Sequence, residues 1–132
     1  DILNVSPYLL GGLQASLRLI ALAEAAHASV LIGTTQELNL GTAAVAHLAA
    51  AARVLDYPSD STGPHLYTAD VVKSPVQYVN SHLIVPEGPG LGLEVDEALL
   101  REMSSEAHWT FGLDLAGVLD RTAANRPSAE KK

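Results

Sequence analysis

The sequence contains no cysteine. That excludes a disulfide framework and a thiolate metal site, and it points to a reducing cytoplasm. Basic residues are scarce: 8 Lys and Arg stand against 15 Asp and Glu, for a formal charge of −7. Nucleic acid is gripped by clustered Lys and Arg, so this balance excludes a nucleic-acid groove. The one basic pair, Lys131–Lys132, is too small to change that. No apolar run reaches the roughly 20 residues that cross a bilayer, so no membrane partner is expected. No basic n-region stands before the strand-like opening at Asp1, so no signal peptide is expected.

What is present is apolar and helix-forming. The chain has 132 residues, 48% of them hydrophobic, which is enough for one domain with a real core. Ile2-Leu3-Asn4-Val5 reads as a short strand buried on both faces. Gly11-Gly12 punctuates the chain, and Leu13, Leu17, Ile20, Ala21 and Glu24 then follow helical spacing over residues 13–27. Ser29–Ile32 reads as a second buried strand, closed by Gly33. A polar loop from Thr34 to Asn39 leads to Thr42, a candidate N-cap for an Ala-rich helix reaching about Arg53. A weaker third strand is expected at Leu55–Tyr57. Strands alternating with helices predict an α/β protein with a parallel sheet.

The second half changes character. Pro58 and Gly63-Pro64 break the chain, and Tyr67 to Val72 reads as irregular or short helix. "QYVNSHLIVP" reads as extended. A Gly-Pro loop and a short helix follow, with Asp96 as candidate N-cap. From Ser104 the pattern loses periodicity, and "RPSAEKK" reads as a frayed, charged end.

In parallel α/β architectures, function gathers at the carboxyl ends of strands. That singles out Ser6-Pro7-Tyr8, Thr34 to Asn39, and Ser59 to Thr62. The polar residues Ser6, Thr34, Thr35, Gln36, Glu37, Asn39, Asp60 and Ser61 collect there. A shared active-site rim and ordinary polar loops both fit this pattern. The histidines say less. His27 and His47 read as packing or surface residues, His65 as a binding candidate near the rim, His82 as part of the segment that follows and His108 as part of the tail. No pair has helical metal-ligand spacing, so no zinc site and no metal ligand is assigned.

Four segments, "SPYLLGGL", "IGTTQELNLGTAAVAHLAAA", "TGPHLYTADVV" and "HLIVPEGPGLGLEVDEALL", occur in unbroken order. They resemble the C-terminal third of the enolase superfamily, in the muconate-cycloisomerase subgroup of the mandelate racemase/muconate lactonizing enzyme family. The resemblance covers roughly residues 1 to 103. It implies part of a modified TIM (β/α) barrel: Ile2–Val5 as the sixth strand, Ser29–Ile32 as the seventh and Leu55–Tyr57 as the eighth. Residues 1–65 would be barrel units, 66–103 a segment returning towards a capping domain, and 104–132 a tail, partly disordered. A complete barrel needs about 250 residues, so the chain would be its closing portion.

The resemblance also implies chemistry. The family abstracts a proton alpha to a carboxylate and stabilises the enediolate with a divalent metal, usually Mg²⁺. Its acidic ligands follow the third to fifth strands and its Lys-x-Lys motif lies on the second; none of these falls within this sequence. The implied parent is a cytoplasmic Mg²⁺-dependent isomerase, racemase/epimerase or dehydratase. It would be a homo-oligomer acting on a small carboxylate. The isolated chain is expected to hold no cofactor and to be inactive. Asp1, at the far end of its strand, reads as a capping or solvated carboxylate.

Ser6 takes the place of a lysine that commonly ends the sixth strand. A neutral hydroxyl does not replace an ammonium as general acid, so two-base epimerisation is in doubt while one-base chemistry survives. Local hydrogen bonding at a strand end is the alternative. Glu37 falls on the acidic position of the seventh-strand loop, where it would orient the network or touch substrate, or else be a solvated loop carboxylate. Asp60 matches a glutamate of the cycloisomerases. The paired aspartates of dipeptide epimerases are incomplete, because Thr62 holds the second place. Buried in a barrel mouth, Asp60 would have a raised pKa. Ser6, Glu37 and Asp60 are the candidate catalytic residues, and Tyr8, Thr34, Thr35, Ser61 and His65 the candidate substrate contacts. A truncated, non-catalytic piece and an unrelated small α/β binding module are the competing readings.

Overall fold

The structure is a computed structural model, and it describes residues 2–104. The readings of Asp1, His108 and the tail from residue 105 onward lie outside the described residues. The chain divides into two units, with the boundary between Arg101 and Glu102.

β1 (Ile2–Val5) pairs in parallel with β2 (Ser29–Ile32), in the register Leu3↔Val30 and Val5↔Ile32. α1 (Leu13–Ala25) makes the crossover between them, as parallel pairing requires. The turn into α1 uses Gly11 and Gly12 at φ 84° and 105°, a left-handed conformation that glycine adopts without steric cost. Gly12 then accepts the hydroxyl of buried Ser16 at 2.9 Å. α1 ends at Ala25, short of the expected residue 27, and His27 turns the chain at φ 54°.

The core lies on one face of the sheet. Val5, Val30 and Ile32 meet Ile20 and Ala23 of α1 and Val45 and Leu48 of α2 (Asn39–Ala51). Each fully buried Val, Ile or Leu side chain contributes about 1.5–3 kcal/mol. Ala21 faces outward, and Ala23 holds the buried position instead. The strands are not buried on both faces: Ile2 and Asn4 are exposed. α1 and α2 cover the Leu3–Val5 face, and no described element covers the other.

The expected strand at Leu55–Tyr57 does not form. The segment still runs beside β2, because Asp56 donates its amide to the Val30 carbonyl at 3.1 Å. The ladder fails there for two reasons. The Val30 amide turns to the Asp56 carboxylate at 2.7 Å rather than to a backbone carbonyl. The next rung of a parallel ladder would bring the amide of residue 58 to the Ile32 carbonyl, and Pro58 has no amide hydrogen. The Ser59 hydroxyl fills that rung, donating to the Ile32 carbonyl at 2.6 Å.

α2 begins three residues before the expected N-cap. Thr42 lies inside the helix, and its hydroxyl donates to the Glu37 carbonyl at 3.2 Å. The N-terminal amide is satisfied from far along the chain. Asp70 accepts the Asn39 amide at 2.7 Å and the Asn39 side-chain amide at 2.6 Å. A carboxylate in this place also meets the positive end of the helix dipole. Asn39 in turn accepts the Val76 amide at 2.8 Å.

"QYVNSHLIVP" is not one extended run but a hairpin: β3 (Tyr78–Val79) pairs antiparallel with β4 (His82–Leu83). Asn80 and Ser81 form the two-residue turn at φ 49° and 61°, the left-handed pair that matches strand twist. A 3₁₀ turn spans Gly63–Leu66. α3 (Glu97–Met103) starts as expected, with the Asp96 carboxylate accepting the amides of Ala98 and Leu99 at 3.1 and 3.0 Å.

Candidate functional site

Three loops leave the same end of the parallel pair. The first follows Val5, the second follows Ile32, and the third follows the Asp56 segment along β2. Gly33 donates its amide to the Val5 carbonyl at 3.0 Å, and Ser59 reaches Ile32, so the three exits are neighbours. They carry Ser6 and Tyr8; Thr34, Thr35 and Glu37; and Asp60, Ser61 and His65, respectively.

The second loop is knit together by side-chain hydrogen bonds. The Glu37 carboxylate accepts the Thr34 hydroxyl, the Thr35 amide at 2.9 Å and the Thr35 hydroxyl at 2.7 Å. Burial pushes the Glu37 carboxyl up, but these hydrogen bonds together outweigh it and hold the group below its ordinary value. Glu37 is therefore an ionised acceptor near neutral pH and a poor proton donor. Thr34 and Thr35, expected to face a substrate, spend their hydroxyls on Glu37.

The third loop locks against the second. A Cβ on Gly63 would lie 2.0 Å from the Glu37 carbonyl oxygen, so only glycine permits this approach. Tyr67 donates its hydroxyl to the Gln36 carbonyl at 2.9 Å. Ser61 is buried, with its hydroxyl 2.7 Å from that of Ser59 and its carbonyl accepting the Tyr78 hydroxyl at 2.6 Å. His65 packs its ring on Tyr78, with centroids 4.7 Å apart. Asp60 stands exposed between the two pinned serines, not in a buried mouth among the described residues.

The first loop differs. Ser6 is 8% exposed, and its hydroxyl is buried with no hydrogen-bond partner among the described residues. Its backbone carbonyl caps the following turn, accepting the amides of Leu9 and Leu10 at 3.1 Å. Tyr8 is open, at 76% exposure. The structure therefore brings the Glu37 and Asp60 loops into direct contact and sets Ser6 beside them with its hydroxyl turned inward.

Sequence reasoning missed Tyr67, Tyr78 and Asp70, which reach the site loops from 17 to 31 residues away. No local spacing announces such partners. Ser59 was within reach, because Pro58 at the end of a strand-like run leaves a carbonyl without its donor. Among the described residues, no group of three or more His, Asp or Glu could hold a metal ion, and no helix is long and apolar enough to cross a membrane.

A family model described as Enolase C-terminal domain-like matches residues 1–99. Muconate cycloisomerase 1 of Rhodococcus opacus is 34% identical over 96 residues, 73% of this chain and 26% of its own length. L-Ala-D/L-Glu epimerase of Clostridium acetobutylicum is 34% identical over 94 residues, 71% of this chain and 26% of its own length. The solved structure of the muconate lactonizing enzyme from Pseudomonas putida superposes with a TM-score of 0.76 at 36% identity, covering 79% of this chain and 29% of that one. The chain thus spans about a quarter of the length of the curated relatives it matches. With three-quarters of its residues matched, the chain belongs to the Enolase C-terminal domain-like family of the enolase superfamily, in its mandelate racemase/muconate lactonizing enzyme branch.

Proposed function

We propose that this chain is the closing part of the barrel of a muconate-cycloisomerase-like enzyme. β1, β2 and the segment through Asp56 would serve as its sixth, seventh and eighth staves. Residues 66–103 would lead back towards a capping domain. The observation that carries this is the common exit of three loops from one end of a parallel pair, with Glu37 and Asp60 on two loops that touch. The uncovered face bearing Ile2 and Asn4 supports it, since a barrel stave meets side chains of further strands there.

In this reading the parent abstracts or returns a proton alpha to the carboxylate of a small substrate, in a cytoplasmic and homo-oligomeric enzyme. Mg²⁺ supplies charge stabilisation for the enediolate in that chemistry. The described residues do not fit a Mg²⁺ site, so the proposal assigns the ion to other strands of the parent. Ionised Glu37, held by three hydrogen bonds, orients the mouth and attracts cationic groups. Asp60, exposed and with no side-chain hydrogen bond among the described residues, is the carboxylate free to meet substrate. Ser6 acts there only if its hydroxyl rotates outward, which favours one-base chemistry over two-base epimerisation. Tyr8, Thr34, Thr35 and His65 would line the approach, while buried Ser61 braces the Asp60 loop. A stand-alone binding module fits less well, since the family match runs unbroken over residues 1–99.

The test is proton exchange. Full-length protein carrying this chain is incubated with Mg²⁺ and a panel of small carboxylates in deuterated water, and loss of the alpha-proton signal is followed by NMR. Exchange with at least one substrate supports the reading. Its absence with all of them refutes it.

A further inference from the structure

We propose that Tyr67 and Tyr78 are positioning residues for the two candidate carboxylates, each holding the backbone carbonyl next to one of them. This deepens the enzyme reading and rests on it. Tyr67 donates to the carbonyl of Gln36, immediately before Glu37, at 2.9 Å. Gln36 sits at φ 66°, a left-handed conformation that costs a non-glycine residue energy unless its surroundings hold it. Two contacts hold it: the Thr34 hydroxyl accepts its amide at 3.0 Å, and Tyr67 takes its carbonyl. The direction of the Glu37 side chain follows from that turn.

Tyr78 does the same for Asp60 from the other side. Its hydroxyl donates to the carbonyl of Ser61, immediately after Asp60, at 2.6 Å. On the preceding side, Ser59 is tied to the Ile32 carbonyl, and the two serine hydroxyls lie 2.7 Å apart. Asp60 therefore stands on a short span fixed at both ends while its carboxylate stays exposed. The His65 ring packs on Tyr78 and fixes the direction of the phenol. Burial pushes the Tyr78 hydroxyl up, which keeps it a donor across the neutral range. Both tyrosines lie downstream of the carboxylates they serve. The second half of the chain thus shapes the site as well as leading away from it.

Phenylalanine tests this cleanly, because it keeps the ring and removes only the donor. Tyr67→Phe and Tyr78→Phe are compared with Tyr57→Phe, a half-exposed tyrosine in neither clamp. Amide hydrogen exchange of the full-length protein carrying this chain is the first readout. Each variant is expected to raise exchange about 2–10-fold in its own loop, 34–38 or 59–63, and to leave β2 and the middle of α2 unchanged. Tyr67→Phe is also expected to move the Glu37 titration up towards its ordinary value. In full-length enzyme, each is expected to lower kcat about tenfold with KM little changed, because misplaced groups lose rate rather than binding. Unchanged exchange in both loops, or a uniform rise across the core, would overturn the proposal. Loop-specific exchange in a protein that exchanges no alpha proton would uphold the clamps and sink the enzyme reading. Unchanged loops in an active enzyme would sink the clamps alone.

Discussion

The carboxylate of Asp56 accepts the backbone amide of Val30 at 2.7 Å, in the place where a neighbouring strand would present a carbonyl. A side chain thereby completes a rung of a parallel sheet. Val30 is fully buried beneath this contact. Asp56→Ala should destabilise the chain by about 1–3 kcal/mol, the cost of leaving a buried donor unpaired. Asp56→Asn keeps an acceptor and should cost less. Urea unfolding checks this: the midpoint should fall while its slope stays constant.

Asp70 bonds both the backbone and side-chain amides of Asn39 at the start of α2. Asp70→Ala removes a cap and a favourable charge at the helix dipole. It should cost about 1–2 kcal/mol, with Asp70→Asn intermediate. Thermal unfolding followed by circular dichroism reads the difference. A variant as stable as the parent would show that water replaces the cap fully.

Glu37 sets a pH dependence whose sign follows from its lowered pKa. A carboxyl depressed in the folded state stabilises the fold above its unfolded pKa. That contribution is lost as pH falls through the folded value. The 34–38 loop should therefore loosen below the ordinary glutamate range and stay firm at neutral pH. Glu37→Gln should abolish the dependence. A ¹³C NMR titration of the Glu37 carboxyl should give a midpoint below 4.5, its ordinary value.

Gly63 brings the two carboxylate loops together, since a Cβ there would strike the Glu37 carbonyl oxygen at 2.0 Å. Gly63→Ala must push the loops apart and should cost about 1–3 kcal/mol, as overpacking does. Hydrogen exchange in the chain should rise in both loops together. A rise in one loop only would mean that they are not joined at Gly63.

The alternation of apolar segments and glycines made β1, α1, β2 and α2 legible, because each element buries a face against its sequence neighbours. Asp96 as a helix cap was legible because its partners are two and three residues away. The misses have different causes. The Thr42 cap failed because Asp70, 31 residues on, caps the helix earlier. The third strand failed because Asp56, Pro58 and Ser59 replace its backbone rungs. The extended reading of residues 77–86 missed that Asn80-Ser81 tolerates the left-handed turn of a hairpin. That Glu37 and Asp60 lie on neighbouring loops was readable from their place after strand-like runs. Their settings were not, because Tyr67 and Tyr78 arrive from later in the chain.

The central claim is that Glu37 and Asp60 face one mouth at which a carbon acid loses or gains a proton. The most direct measurement is solvent deuterium incorporation at the carbon alpha to a substrate carboxylate, by full-length protein and by its Asp60→Asn variant. The expected result is incorporation by the parent with at least one small carboxylate, slowed by about 10²-fold or more in the variant. Incorporation by neither, or at equal rates by both, would contradict it.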